Sequence, residues 1–173
     1  MYIEILVLSQ ILNGPKHGYE IKKNVNYILV GNYEINNNVL YPLLKRYEKD
    51  GVVIKQTVEQ PGRFNRIVYT ATDKAYGLFL KLAGDLPENL AHDSDEFLTR
   101  VCFFYMLDRD SIEKILKRRE KFLKSDIDFY NGHSTTLNGG NCLPRSVDFR
   151  ETQKTKDYLE LKMIEELRAK YCG

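Results

Sequence analysis

The chain's 173 residues suffice for one large domain or two small ones, and a 43% hydrophobic, 12% aromatic composition supplies a buried core, which excludes a disordered polymer. The formal net charge of +2 is too small to demand an acidic partner, yet it is unevenly spread: residues 1–84 carry 11 Lys/Arg against 7 Asp/Glu, and residues 85–173 carry 15 against 17. Cys102, Cys142 and Cys172 form no CxxC pair, so neither a zinc site nor a disulfide framework is supported, and a reducing compartment is expected.

Met1 to Leu12 is apolar but lacks a basic leader and contains Glu4 and Gln10, which argues against a signal peptide. No apolar run approaches the ~18 residues of a membrane span. A soluble, cytoplasmic protein with no membrane partner is expected.

Residues 2–12 read as a short helix with Ile5, Leu8 and Leu12 on one stripe, widened by Leu6 and Ile11, and stopped by Asn13-Gly14-Pro15. A second helix is predicted from His17 or Gly18 to Val30, with Ile21, Val25, Ile28 and Leu29 inward and Lys22, Lys23 and Asn26 outward. Gly31-Asn32 ends it. A third helix follows over residues 36–51, with Val39, Leu40, Leu43, Leu44 and Tyr47 as its apolar stripe. Its other face presents Asn37, Asn38, Tyr41, Lys45 and Lys49: hydrogen-bonding groups whose only formal charge is cationic. Such a face suits a helix laid against nucleic acid, where Asn reads adenine and Lys pairs with phosphate. A merely solvated helix face has the same pattern. Two tightly joined helices with a polar outer face on the second match a helix-turn-helix.

After Gly51 the β-branched run Val52 to Val58 predicts a strand, Gln60-Pro61-Gly62 a turn, and Asn65 to Thr70 the returning strand. Three helices and a two-stranded hairpin make a winged helix, with Arg63 and Arg66 placed for phosphate or a minor groove. Thr72 is expected to N-cap a helix whose inward stripe is Ala75, Leu78, Phe79 and Leu82. Gly84 and Pro87 mark a boundary, and the acidic Glu88 to Glu96 stretch suits a linker or a frayed helical start.

The second half reads as helical. Phe97, Leu98, Val101, Cys102, Phe104 and Tyr105 predict a helix apolar nearly all round. Asp108 or Asp110 caps the next, which carries Ile112, Ile115, Leu116, Phe122, Leu123 and Ile127; its Lys117 to Lys121 run reads as a solvated face. Asn131 to Arg145 reads as a polar loop. A final helix from about Asp148 carries the seam Tyr158, Leu161, Ile164, Leu167 and Tyr171, which suits either two-fold pairing with another subunit or packing on its own chain.

Four runs together resemble the PadR family of transcriptional regulators, in its longer form: His17-Gly18-Tyr19-Glu20-Ile21, Leu40 to Arg46 with its internal Tyr41-Pro42, Glu48 to Val53, and Tyr69 with Thr72. The resemblance implies a mainly α protein: an N-terminal winged helix-turn-helix with a two-stranded wing over 1–84, and an α-helical C-terminal dimerisation and candidate effector domain over 85–173. It implies a homodimeric repressor on double-stranded operator DNA, expected to be an inverted repeat, released by a small aromatic or drug-like effector. The expected DNA-contacting set is Tyr19, Lys22, Asn36, Asn37, Asn38, Tyr41, Lys45, Lys49, Arg63 and Arg66. The seam from Tyr158 to Tyr171 is expected to pair subunits, and Phe97, Phe104, Tyr105 and Phe122 to line an effector pocket.

The chain departs from the family pattern at Asn36-Asn37-Asn38-Val39, where a Thr contact to phosphate is missing, and at Ala75, where a Gly is usual. The alternative is a winged-helix interaction module without operator binding. An enzyme is not expected: His17, His92 and His133 are scattered, and no nucleophile elbow or phosphate loop is present, the Asn138 to Asn141 run included. No cofactor or metal is implied.

Overall fold

The computed structural model of the chain describes residues 2–29, 34–59, 65–132 and 144–173, with the backbone alone at 144–146. The chain divides into two compact units, Met1–Ala83 and Gly84–Gly173.

The first unit opens with α1 (Tyr2–Leu12), whose Ile5, Leu6, Val7, Leu8 and Ile11 are all buried, as a helix apolar on most sides must be. A two-residue strand β1 (Lys16–His17) leads into α2 (Gly18–Ile28). Then come α3 (Asn37–Lys49), strands β2 (Val53–Val58) and β3 (Arg66–Ala71), and α4 (Asp73–Ala83). The sheet is antiparallel in the order β1-β3-β2, so β1 adds a third strand to the two predicted. β2 and β3 pair from Val53↔Ala71 to Val58↔Arg66. α1 packs on α2, α4 and β3 and forms the centre of the unit.

Local chemistry sets the bounds of α3. The Asn36 side chain accepts the Val39 N–H at 3.0 Å, and Gly51 leaves the helix at a φ of +69°, a conformation glycine adopts without strain. Leu40, Leu43, Leu44 and Tyr47 are buried, whereas Val39 is 41% exposed. Val39 lies about 100° around the helix from Leu40, at the edge of the stripe rather than within it. Ile28 has the right angle for the α2 stripe, but it is the last helical residue and is 40% exposed. Thr72 stands where a cap was expected. Its hydroxyl instead donates to the carbonyls of Gly51 and Val52, at 2.8 and 3.0 Å, and so ties the start of α4 to the end of α3.

The second unit begins with a 3-10 turn, Glu88–Leu90, then α5 (Ser94–Val101), a second 3-10 turn, Phe104–Met106, and the long helices α6 (Arg109–Gly132) and α7 (Pro144–Cys172). Leu86, Phe97, Phe104, Ile112, Ile115, Leu116, Leu123 and Ile164 form its core. The stretch read as a linker or a frayed helical start holds the capped start of α5: Asp93 accepts the N–H groups of Asp95 and Glu96, and Glu96 is buried against Arg100 at 2.7 Å. Buried charge is tolerated because the pair is mutual and Arg100 also donates to the Asp85 carbonyl.

The all-round apolar helix over 97–105 is two short pieces. The chain turns at Cys102-Phe103, which sends Phe104 inward and leaves Leu98, Cys102 and Tyr105 exposed. The Lys117 to Lys121 run is not a uniform solvated face either. Lys117 and Lys121 are exposed, but Arg119 is buried, its Nη1 donating to the Ala91 carbonyl at 2.7 Å and its Nη2 to Ser94 at 2.9 Å. α7 starts at Pro144, four residues before its predicted start, in keeping with the preference of proline for a first helical turn. The turn Gln60-Pro61-Gly62, Arg63, Gly31-Asn32 and, from the polar loop, His133, Asn138 to Asn141 and Cys142 lie outside the described residues.

Candidate nucleic-acid interface

In the first unit a cleft of about 740 Å³ is lined by His17, the start of α2, Tyr41 of α3 and β3 with the adjoining Asn65. His17, Tyr19, Glu20, Lys23, Tyr41, Asn65, Arg66 and Tyr69 contribute its polar groups. Gly18 makes the close approach of α2 to α3 feasible: a Cβ at that position would lie 3.0 Å from the Tyr41 ring and 3.2 Å from its hydroxyl. A side chain there would press on the Tyr41 ring, which would have to give by a few tenths of an ångström.

The two tyrosines nearest the opening are available. Tyr19 is 74% exposed and Tyr41 45%. Tyr69 behaves differently, since burial pushes its hydroxyl up, with Tyr41 and Glu48 adding to the shift. It forms the floor. Glu20 is the one carboxylate lining the cleft among the described residues, and it accepts the His17 N–H at 2.9 Å. What remains toward solvent is Lys23, Arg66 and the phenols: cations and hydrogen-bond donors suited to a polyanion.

The expected residues fall into separate groups. Tyr19, Tyr41 and Arg66 meet at this cleft. Lys45 and Lys49 line a shallower depression with Pro42, Arg46 and Glu48 on α3 itself. Asn37 and Asn38 are exposed in the first turn of α3, while the Asn36 side-chain oxygen is engaged as the helix cap. Lys22 is half-buried and lines neither site. Lys23 and His17 were missed. Lys23 lies four residues after Tyr19 and so on the same helical face, a spacing that was legible; His17 enters through pairing with β3, which was not.

The second unit arranges its expected residues differently. Ile164 is fully buried, and Leu161, Leu167 and Tyr171 pack on the same core while each stays partly exposed. Tyr171 stacks edge-on against Phe104 at 5.6 Å. Tyr158 alone of the seam is more than half exposed, beside Leu159 and on the same helix as Phe149. Of the four aromatics expected around an effector, Phe97 and Phe104 are core residues, Tyr105 is 72% exposed, and Phe122 is half-buried beneath the Arg119 guanidinium at 5.4 Å. Phe97, Phe104 and Phe122 pack on one core, with Phe97 and Phe122 both facing the Arg119 guanidinium. Among the described residues no group of His, Cys, Asp and Glu is arranged to hold a metal ion, and no helix is long and apolar enough to cross a membrane.

The first unit is a winged helix, and the second unit is helical. Residues 7–75 match the model of the transcriptional regulator PadR-like family. Through its first unit the chain belongs to that family, a family of transcriptional regulators. No curated protein matches the chain. Among solved structures it is similar to a transcriptional regulator from Clostridium thermocellum (28% identity, 46% of this chain and 77% of the other, TM-score 0.43). It is similar to smu.1704 from Streptococcus mutans UA159 over the same share of its length (32% identity, 71% of the other chain, TM-score 0.40). Over 97% of this chain and 96% of the other, it is similar to Bacillus subtilis PadR in a complex with operator DNA (16% identity, TM-score 0.44).

Proposed function

We propose that this chain is a DNA-binding transcriptional regulator that acts as a homodimeric repressor on an inverted-repeat operator. The observation that carries the DNA reading is the cleft, where exposed Tyr19 and Tyr41 stand with Lys23 and Arg66 beside the donor-rich face of α3. Its groups suit backbone phosphates, while Asn37 and Asn38 at the exposed start of α3 suit base edges in a major groove. The family match of the same unit supports the reading. The two-fold pairing is assigned to the side of α7 away from Ile164, where Tyr158 and Leu159 remain exposed and apolar surface of this kind favours a partner. Release by a small aromatic or drug-like effector rests on the family resemblance and is assigned to the second unit.

The test is equilibrium binding to genomic fragments at low salt, followed by the salt dependence on an enriched fragment. With about four phosphate contacts per chain, a dimer would give a slope near −7, or about four decades of affinity between ~50 and ~200 mM salt. A chain that enriches no fragment over bulk DNA would sink the proposal. Sedimentation of wild type and Leu159→Glu tests the pairing, with a shift to monomer expected for the variant.

A further inference from the structure

In the sequence His17 is one of three scattered histidines, yet in the fold it joins the wing to the rest of the first unit. β1 pairs with β3 at two positions only, Lys16↔Tyr69 and His17↔Val68. Outward of Val68, the described part of β3 has β2 alone beside it, and β2 is exposed from Ile54 to Val58. A two-stranded ribbon with so little packed surface does not hold its own direction, which must come from its root.

The His17 imidazole extends the ladder by one step. Nδ1 lies 2.9 Å from the Ile67 carbonyl, an acceptor, so Nδ1 carries the proton and donates. Ile67 adjoins Arg66, the outermost paired cation of the wing. At its other end His17 is anchored to α2, because its backbone N–H donates to Glu20 Oε2 at 2.9 Å in the first turn of that helix. A continuous chain of contacts therefore runs from α2, which carries Tyr19 and Lys23, through His17 to the Arg66 end of β3.

We infer that His17 is a positioning residue for the nucleic-acid contact: its imidazole holds the Arg66 end of the wing at a set angle to Tyr19 and Tyr41. This rests on the DNA-binding reading proposed above. Direct contact between His17 and the duplex is not part of the role, so its loss should act through Arg66.

The experiment titrates the whole chain into a fluorescein-labelled mixed-sequence duplex of about 30 base pairs from ~50 mM salt upward, where backbone contacts dominate binding. Wild type, His17→Ala, His17→Asn, Arg66→Ala and the double variant His17→Ala/Arg66→Ala are compared, each with a thermal melt. His17→Ala is expected to weaken binding about fivefold, the equivalent of one hydrogen bond. It should also flatten the salt slope by about 1, as Arg66→Ala does. The double variant should bind no more weakly than Arg66→Ala. His17→Asn, whose side-chain N–H stands close to the place of Nδ1–H, should bind within about twofold of wild type, a residual difference well below one hydrogen bond. His17→Phe keeps the ring and removes the donor, and carries the same test should alanine unfold the unit. Wild-type affinity and slope in both donor-less variants would overturn the inference, as would effects of His17→Ala and Arg66→Ala that multiply in the double variant. Failure of the wild-type chain itself to bind the duplex would instead overturn the DNA-binding reading.

Discussion

Arg119 of α6 grips Glu160 of α7 with two prongs, Nε to Oε1 at 2.6 Å and Nη2 to Oε2 at 2.9 Å. The guanidinium is almost wholly buried and its remaining donors reach the Ala91 carbonyl and Ser94, so one side chain joins α6, α7 and the approach to α5. Arg119→Met should therefore destabilise the second unit by about 3 kcal/mol or more, since it strands a carboxylate, a carbonyl and a hydroxyl together. Glu160→Gln keeps an acceptor and should cost less. Urea denaturation followed by circular dichroism measures both; equal midpoints for Arg119→Met and wild type would contradict the assignment.

Asp157 gives the second unit a defined pH response. It is 8% exposed, and one of its carboxyl oxygens has no hydrogen-bond partner. Burial pushes its pKa up to about 6, with Asp126 and Glu160 adding to the shift and Arg119 opposing it. A carboxyl raised in the folded state holds its proton more tightly there than when unfolded. The stability it contributes is present below the usual carboxylate range and is lost as pH rises through about 6. Glu120 has the opposite sign, held below its usual range by hydrogen bonds from Lys124 and Arg168. At Asp85 burial works against ionisation, but hydrogen bonds from Lys114 and Arg118 outweigh it and lower the pKa. Both lose their contribution as pH falls. The melting temperature of the second unit should thus peak between about 4 and 6, bounded by the ordinary carboxylate range and the raised Asp157. Asp157→Asn should raise it at pH 7 and flatten the decline on the alkaline side.

Glu4 ties α1 to α3. Its Oε2 accepts from Arg46 Nη2 at 2.6 Å and from the Tyr47 hydroxyl at 3.3 Å. Burial and the Glu4 charge push that hydroxyl well above the ordinary tyrosine range. Tyr47→Phe removes one hydrogen bond while leaving the buried ring and the Arg46 pair, so a loss of about 1 kcal/mol is expected. Leu40→Ala, which empties a fully buried position on the same helix, should cost about 2–5 kcal/mol by chemical denaturation.

The three asparagines at the start of α3 should separate by experiment. Asn36→Ala removes the helix cap and is expected to lower stability by about 0.5–2 kcal/mol. Asn37→Ala and Asn38→Ala leave the cap intact. If they read bases, they should relax sequence preference by about 1–3 kcal/mol at single positions of a selected operator. Lys45→Ala should weaken all duplexes alike and reduce the salt slope by about 1. Identical selected sequences for wild type and both Asn variants would remove the base-reading role.

The helices of the first unit were legible because their signals are local: an apolar stripe, an asparagine before the first turn, a glycine after the last. The cleft was only partly so. Tyr19 and Lys23 share a face by spacing, but His17 reaches the wing through two residues of pairing across some fifty positions of chain, which no local pattern announces. The helix read across Cys102 failed because the run Phe97 to Tyr105 is apolar in both arrangements, continuous or broken, and only the turn at Cys102-Phe103 decides which side chains enter the core.

By itself, the sequence determined the winged-helix class, since helix periodicity, strand alternation and capping act over a few residues and do not depend on distant partners. Tertiary structure decided what the charged and apolar residues of the second unit do. Arg119 reads as one more cation in a basic run, and becomes a buried clamp only because α7 brings Glu160 to it. Ile164 reads as part of a seam open to a second subunit or to its own chain, and packs within the chain because α6 lies against it. Periodicity reports which face of a helix seeks cover; the partner that provides it is chosen by packing across long stretches of chain.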